Sequence, residues 1–144
     1  MYHYAIRFED CGSAGVALSC RDLPELNSSA PTAGRAESEA LDAIETTLSI
    51  YVDQRRAIPE ASAPQTGERV IYLPAATVAK IELWNALRAK DMRKADLARL
   101  LGIHPVQADR LTDFLHPSKM GSLERALAKL GRRLTVGSEA LRTA

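Results

Sequence analysis

Residues 1–68 contain no lysine, and the whole chain holds only three histidines and two cysteines. Three histidines this far apart offer no zinc-type ligand spacing, so no metal and no other cofactor is expected. Two cysteines cannot build a disulfide framework. Cys11 and Cys20 flank an expected hairpin turn, where one structural disulfide could form, but two reduced thiols are the expected state. No apolar run approaches the ~20 residues that span a bilayer. The N-terminus lacks the basic, then apolar, layout of an export signal, so the chain is expected in the cytoplasm without membrane contact.

What is present is enough apolar residue, 46% of 144, to pack one ordinary domain or two small ones. The net charge of +1 conceals a split. Residues 1–68 carry five basic residues, all arginine, against eleven acidic ones, a net of −6; residues 69–144 carry fourteen against seven, a net of +7. The first part repels a phosphate backbone and suits a basic partner, whereas the second attracts phosphate.

Along the chain, "MYHYAIRFED" places Tyr2, Tyr4, Ile6 and Phe8 on one face of a strand. "DCGSAG" is turn chemistry, and "VALSC" returns with Val16, Leu18 and Cys20 on one face. A short third strand is expected near Leu26–Ser29. Thr32 is expected to cap a helix reaching about Arg55, with Ala40, Ile44, Leu48 and Tyr51 as its core stripe. Residues 58–69, with Pro59, Pro64 and Gly67, are expected to form a mobile connection. "VIYL" (70–73) predicts a fully buried strand, and Pro74 opens a helix bearing Val78, Ile81, Trp84 and Leu87. The expected fold class is α+β, with one domain over residues 1–74 and an all-α domain over 75–144.

The stretch "KADLARLLGIHPVQADRLTDF" (94–114) has the rhythm of a helix-turn-helix. Leu97, Leu100 and Leu101 give the first helix an apolar side, and Ala98 is small where a second helix must cross. Gly102 supplies the turn. His104 precedes Pro105, so the second helix starts at Pro105 and buries Ala108, Leu111, Phe114 and Leu115. A plain helical hairpin shows the same pattern. Three features favour DNA: the basic surroundings, a further helix capped by Ser122 and ended by Gly131, and the residue types on the exposed side. His104, Pro105, Val106, Gln107 and Arg110 are suited to base edges, with Arg110 matched to guanine and Gln107 to adenine. Lys94, Arg99 and Lys119 are expected on phosphates, and Asp109 and Asp113 are expected to face away or to pair with arginines. After Gly131, "RRLTV" alternates Leu134 and Val136 and is expected to pair with its copy in a homodimer or higher oligomer.

"RDLPEL" (21–26), "YVDQRRAIPEAS" (51–62), "RVIYLP" (69–74) and "LARLLGIHPVQADRLTDFLHPSKMGSLERALAKLGRRLTV" (97–136) together resemble the HicB antitoxins of bacterial HicAB toxin–antitoxin systems. That resemblance implies an N-terminal domain of partial RNase H-like fold that covers a small basic HicA-like RNase toxin, which cleaves mRNA. It implies a C-terminal domain that dimerises and binds operator DNA. An RNase H fold also invites a nuclease, but that chemistry needs converging carboxylates for two metals. The acids here lie at a strand end (Glu9, Asp10), in a loop (Asp22) and on the long helix, so no catalysis is expected. The alternative function is a stand-alone helix-turn-helix transcriptional regulator with an N-terminal ligand-sensing domain; a neighbouring frame encoding a tiny basic protein would favour the antitoxin.

Overall fold

Alternating residues at the N-terminus form a strand. In the computed structural model, which describes residues 1–141, β1 runs Tyr4–Asp10 with Tyr4 and Ile6 fully buried. It pairs antiparallel with β2 (Val16–Cys20), which turns Val16, Leu18 and Cys20 inward. Gly15 lets the chain return. Its φ is +93°, and a Cβ there would lie 2.2 Å from the Ala30 carbonyl oxygen, so any larger residue meets the backbone of the next strand. That strand is β3 (Asn27–Ala30), one residue beyond the expected position. β4 (Glu68–Ile71) adds to the other side of β1, completing a four-stranded antiparallel sheet in the order β3-β2-β1-β4. The strand expected to be fully buried is therefore an edge. Within β4 only Ile71 is buried, while Arg69 reaches out over the Phe8 ring.

α1 (Ala36–Asp53) packs on the sheet through Ala40, Ile44, Leu48 and Tyr51, the stripe given by its three-and-four spacing. Thr32 makes no capping bond; a single 3-10 turn, Ala33–Arg35, comes before the helix instead. Arg55, at φ +58°, closes α1 where no glycine is available.

The connection from 54 to 67 is pinned rather than loose. Trp84 donates its indole N–H to the Arg56 carbonyl at 2.8 Å. Asn85 grips Ile58 from both sides, accepting from its N–H at 2.8 Å and donating to its carbonyl at 2.9 Å. The Tyr4 hydroxyl donates to the Pro59 carbonyl at 2.6 Å, and Asp22 accepts from Ser62. Side chains thus satisfy backbone groups that no ladder serves.

Just beyond this strap, Glu68 accepts two bonds from Arg21, at 2.7 and 2.8 Å, and one from the Gln65 N–H at 2.9 Å. Arg21 first, then the Gln65 N–H, hold its carboxyl down at about 2. A carboxylate whose folded pKa is depressed stabilises above its unfolded pKa of roughly 4.3 and loses that contribution as pH falls towards 2. Glu68→Gln is expected to cost about 1–2 kcal/mol at neutral pH, below the full linkage value because Arg21 is a third exposed. Urea unfolding at neutral pH and near pH 2 checks this: the gap between wild type and variant should close in acid.

The remainder is helical: α2 (Ala75–Ala89), α3 (Lys94–Leu101), α4 (Pro105–Leu111) and α5 (Met120–Lys129). Pro74 stands one place before α2, in the capping position. α2 is buried on more than one side, through Ile81 and Trp84 as well as Leu83 and Leu87. It packs against α5 while also holding the strap at Arg56 and Ile58. One apolar cluster accordingly runs without a break from Tyr2 to Leu130. α5 begins two residues before Ser122, with Lys119 in the capping position and no side-chain cap. Residues 131–141 form no regular element; Leu134 rests partly buried on the core and Val136 is exposed.

Candidate functional site

Gly102 ends α3 at φ +65°. A Cβ there would meet nothing within 4 Å, so the conformation and not the space calls for glycine. The turn folds α4 back on α3, burying Leu97 and Ala98 against Ala108 and Leu111. Two of the leucines expected inside lie outside: Leu100 is 41% and Leu115 68% exposed. α4 stops at Leu111, so Leu115 is no longer in phase with its buried side.

His104, Pro105, Val106, Gln107 and Arg110 all stand exposed on α4 or at its start. Two of them serve the helix itself. His104 Nδ1 accepts from the Val106 N–H at 3.1 Å, and Gln107 Oε1 accepts from the His104 N–H at 3.2 Å, so orphan donors of the first turn are satisfied. Arg110 has no ion-pair partner among the described residues. Of the cations expected on phosphates, only Lys119 is similarly free. Lys94 is bound to Asp109 at 2.7 Å, and Arg99 is bound to Asp96. Asp109 thus pairs with a lysine instead of an arginine, and Asp113 caps the Leu115 N–H at 3.0 Å.

Sequence patterning missed Lys80. It lies on α2 yet is only 2% exposed, and its ammonium donates to the carbonyls of Arg110 at 3.1 Å, Asp113 at 2.6 Å and His116. Burial lowers its pKa below the usual lysine value. One side chain therefore ties the end of α4, and the segment after it, to the central helix. The available signal was its position: Lys80 falls three after Thr77 and four before Trp84, on the inward stripe.

The sheet half presents the opposite charge. Between the edge strand β3 and α1 lies a groove of about 300 Å³ whose lining includes Glu25, Glu39 and Asp42. Glu25 is engaged by Tyr51 at 2.7 Å and Arg56 at 2.7 Å, whereas Glu39 has, among the described residues, one ion pair, with Arg35 at 3.8 Å. Among the described residues, no three of His, Cys, Asp and Glu gather into a group that would hold a metal. Cys11 is exposed, Cys20 buried, and both are free. Among the described residues no helix is long and apolar enough to cross a membrane.

Residues 3–82 match the family described as HicB_like antitoxin of bacterial toxin-antitoxin system. The chain is 49% identical over 142 residues to Antitoxin HicB of Pseudomonas fluorescens (strain Pf0-1), covering 97% of this chain and 96% of that one. It is 34% identical over 131 residues to Antitoxin HicB 2 of Photorhabdus laumondii, with 91% and 92% covered. To Antitoxin HicB of Escherichia coli (strain K12) it is 26% identical over 133 residues, with 92% and 96% covered.

Proposed function

The chain belongs to the HicB-like antitoxins of bacterial toxin–antitoxin systems, and from that premise we propose that its sheet half captures and neutralises a small basic HicA-like RNase toxin while its helical half binds the operator of its own operon. The observation that carries this is the charge split, which at the passage from sheet to helices is −5 over residues 1–74 and +6 over 75–144. An acidic groove beside an open sheet edge suits a cationic RNA-cleaving partner, and neutralisation is by cover rather than by catalysis. The sheet and α1 form the partial RNase H-like unit. The α3–α4 pair is a helix-turn-helix with α4 as its reader, and the protein acts in the cytoplasm, where transcripts and operator are found.

Binding two half-sites requires two copies. Residues 132–136, outside any helix or strand and carrying the exposed Val136, are the segment proposed to pair across the two-fold axis. The two functions meet on α2, because Trp84 and Asn85 brace the sheet half while Lys80 braces α4.

Arg110→Ala and Gln107→Ala are each expected to weaken operator binding by about 1–3 kcal/mol, the value of a good bidentate base contact, while protection from the toxin persists. Titration of a labelled duplex from upstream of the operon measures it. Undiminished affinity in both variants would remove α4 as the reading helix.

A further inference from the structure

Between α4 and α5 lies a groove of about 660 Å³ with an apolar floor that includes Ile103 and Leu111. Its rim holds four cations, Arg110, Lys119, Arg125 and Lys129, and no carboxylate is among its lining residues. None of the four forms an ion pair among the described residues. Arg125 and Lys129 lie one turn apart on the exposed side of α5, so both face the same groove. Ser118 and Ser122 add hydroxyls at its end. Arg110 belongs both to this rim and to the exposed side of α4.

We propose that this groove seats one sugar-phosphate strand of the duplex that α4 reads, with Arg125 and Lys129 as phosphate contacts. This rests on the DNA-binding role proposed above and relocates its electrostatic grip. Lys94 and Arg99 carry the charge that phosphate recognition needs, but each already holds a carboxylate of this chain, and engaging DNA would break that pair. The cations of the groove break no ion pair among the described residues, and Arg125 gives up at most a 3.4 Å hydrogen bond to the Ser122 hydroxyl. A strand held between α4 and α5 also places the adjoining base edges beside Arg110, so backbone contacts set the register in which the arginine reads.

Only a polyanion matches four unpaired cations spread along a groove. A phosphate strand is preferred to an acidic protein surface because the groove is continuous with the reading helix.

The test is the salt dependence of binding by the full chain to two duplexes, one from immediately upstream of its own reading frame and one of scrambled sequence. Each neutralised phosphate contributes a slope of about 0.9 in log affinity against log salt. Arg125→Gln and Lys129→Gln are each expected to reduce the slope by about that amount on both duplexes, and Lys94→Gln to leave it unchanged. All three residues are on the surface, and unchanged thermal unfolding verifies the fold. Normal binding with unaltered slopes in both α5 variants overturns the groove as a phosphate site and leaves the DNA-binding role intact. That result is also expected if an acidic protein occupies it. A wild-type chain that binds neither duplex overturns both.

Discussion

Replacing Lys80 by methionine is expected to lower stability by about 2–4 kcal/mol and to weaken operator binding well beyond the loss from any single reading residue. Methionine matches the length of the side chain but donates nothing. The carbonyls of Arg110, Asp113 and His116 lose a shared charged donor in a site the wild-type side chain keeps almost dry. A buried acceptor left without its partner costs about 1–3 kcal/mol; relief from burying the ammonium, whose pKa is already lowered, offsets part of the total. Because all three acceptors lie at the end of α4 or just after it, the damage is local. Amide exchange should quicken over 105–118 before it does so in the sheet. Stability equal to wild type would mean that water replaces the ammonium at no cost.

The second large effect lies on the opposite surface. Glu39→Lys with Asp42→Lys moves the net charge of residues 1–68 from −6 to −2 and places two cations in the groove beside β3. Against a basic toxin the groove changes from attraction to repulsion, so association should weaken about 10–100-fold, more at low salt than at high. The fold should survive. Asp42 is exposed, and the one ion pair sacrificed, Arg35 to Glu39 at 3.8 Å, is a surface pair worth roughly 0.3–0.5 kcal/mol.

Local rules carried much of this architecture. Alternation identified β1 and β2, three-and-four spacing identified α1, and Gly102 with Pro105 fixed the turn between α3 and α4 to the residue. What escaped depended on tertiary partners. Residues 58–69 read as mobile because the anchors of the strap they belong to, Trp84, Asn85 and Tyr4, are far off in sequence and its own residues are mostly polar. "VIYL" (70–73) reads as a fully buried strand because all four residues are apolar. The strand formed is Glu68–Ile71, two residues earlier, and nothing in four residues distinguishes an edge from a middle strand. The ends of α1 and α2 carry no glycine: Arg55 and Asp91 adopt the left-handed conformation instead, at φ +58° and +51°. Within the candidate site, exposure of the residues proposed to read DNA was legible from helical phase. The ion pair that occupies Lys94 was not, since Asp109 lies on a different helix; the pair of Arg99 with Asp96, three residues earlier on α3, lay within helical spacing.

The claim that acidic sheet half and basic helical half perform separable tasks is tested most directly in cells expressing the toxin together with the full-length Glu39→Lys, Asp42→Lys chain. Growth and occupancy of the operator are measured in the same culture, beside Arg110→Ala. The account predicts that the groove variant fails to protect yet still occupies the operator, and that Arg110→Ala protects yet leaves the operator free. Full protection by the groove variant, or loss of both tasks in either folded variant, would contradict it.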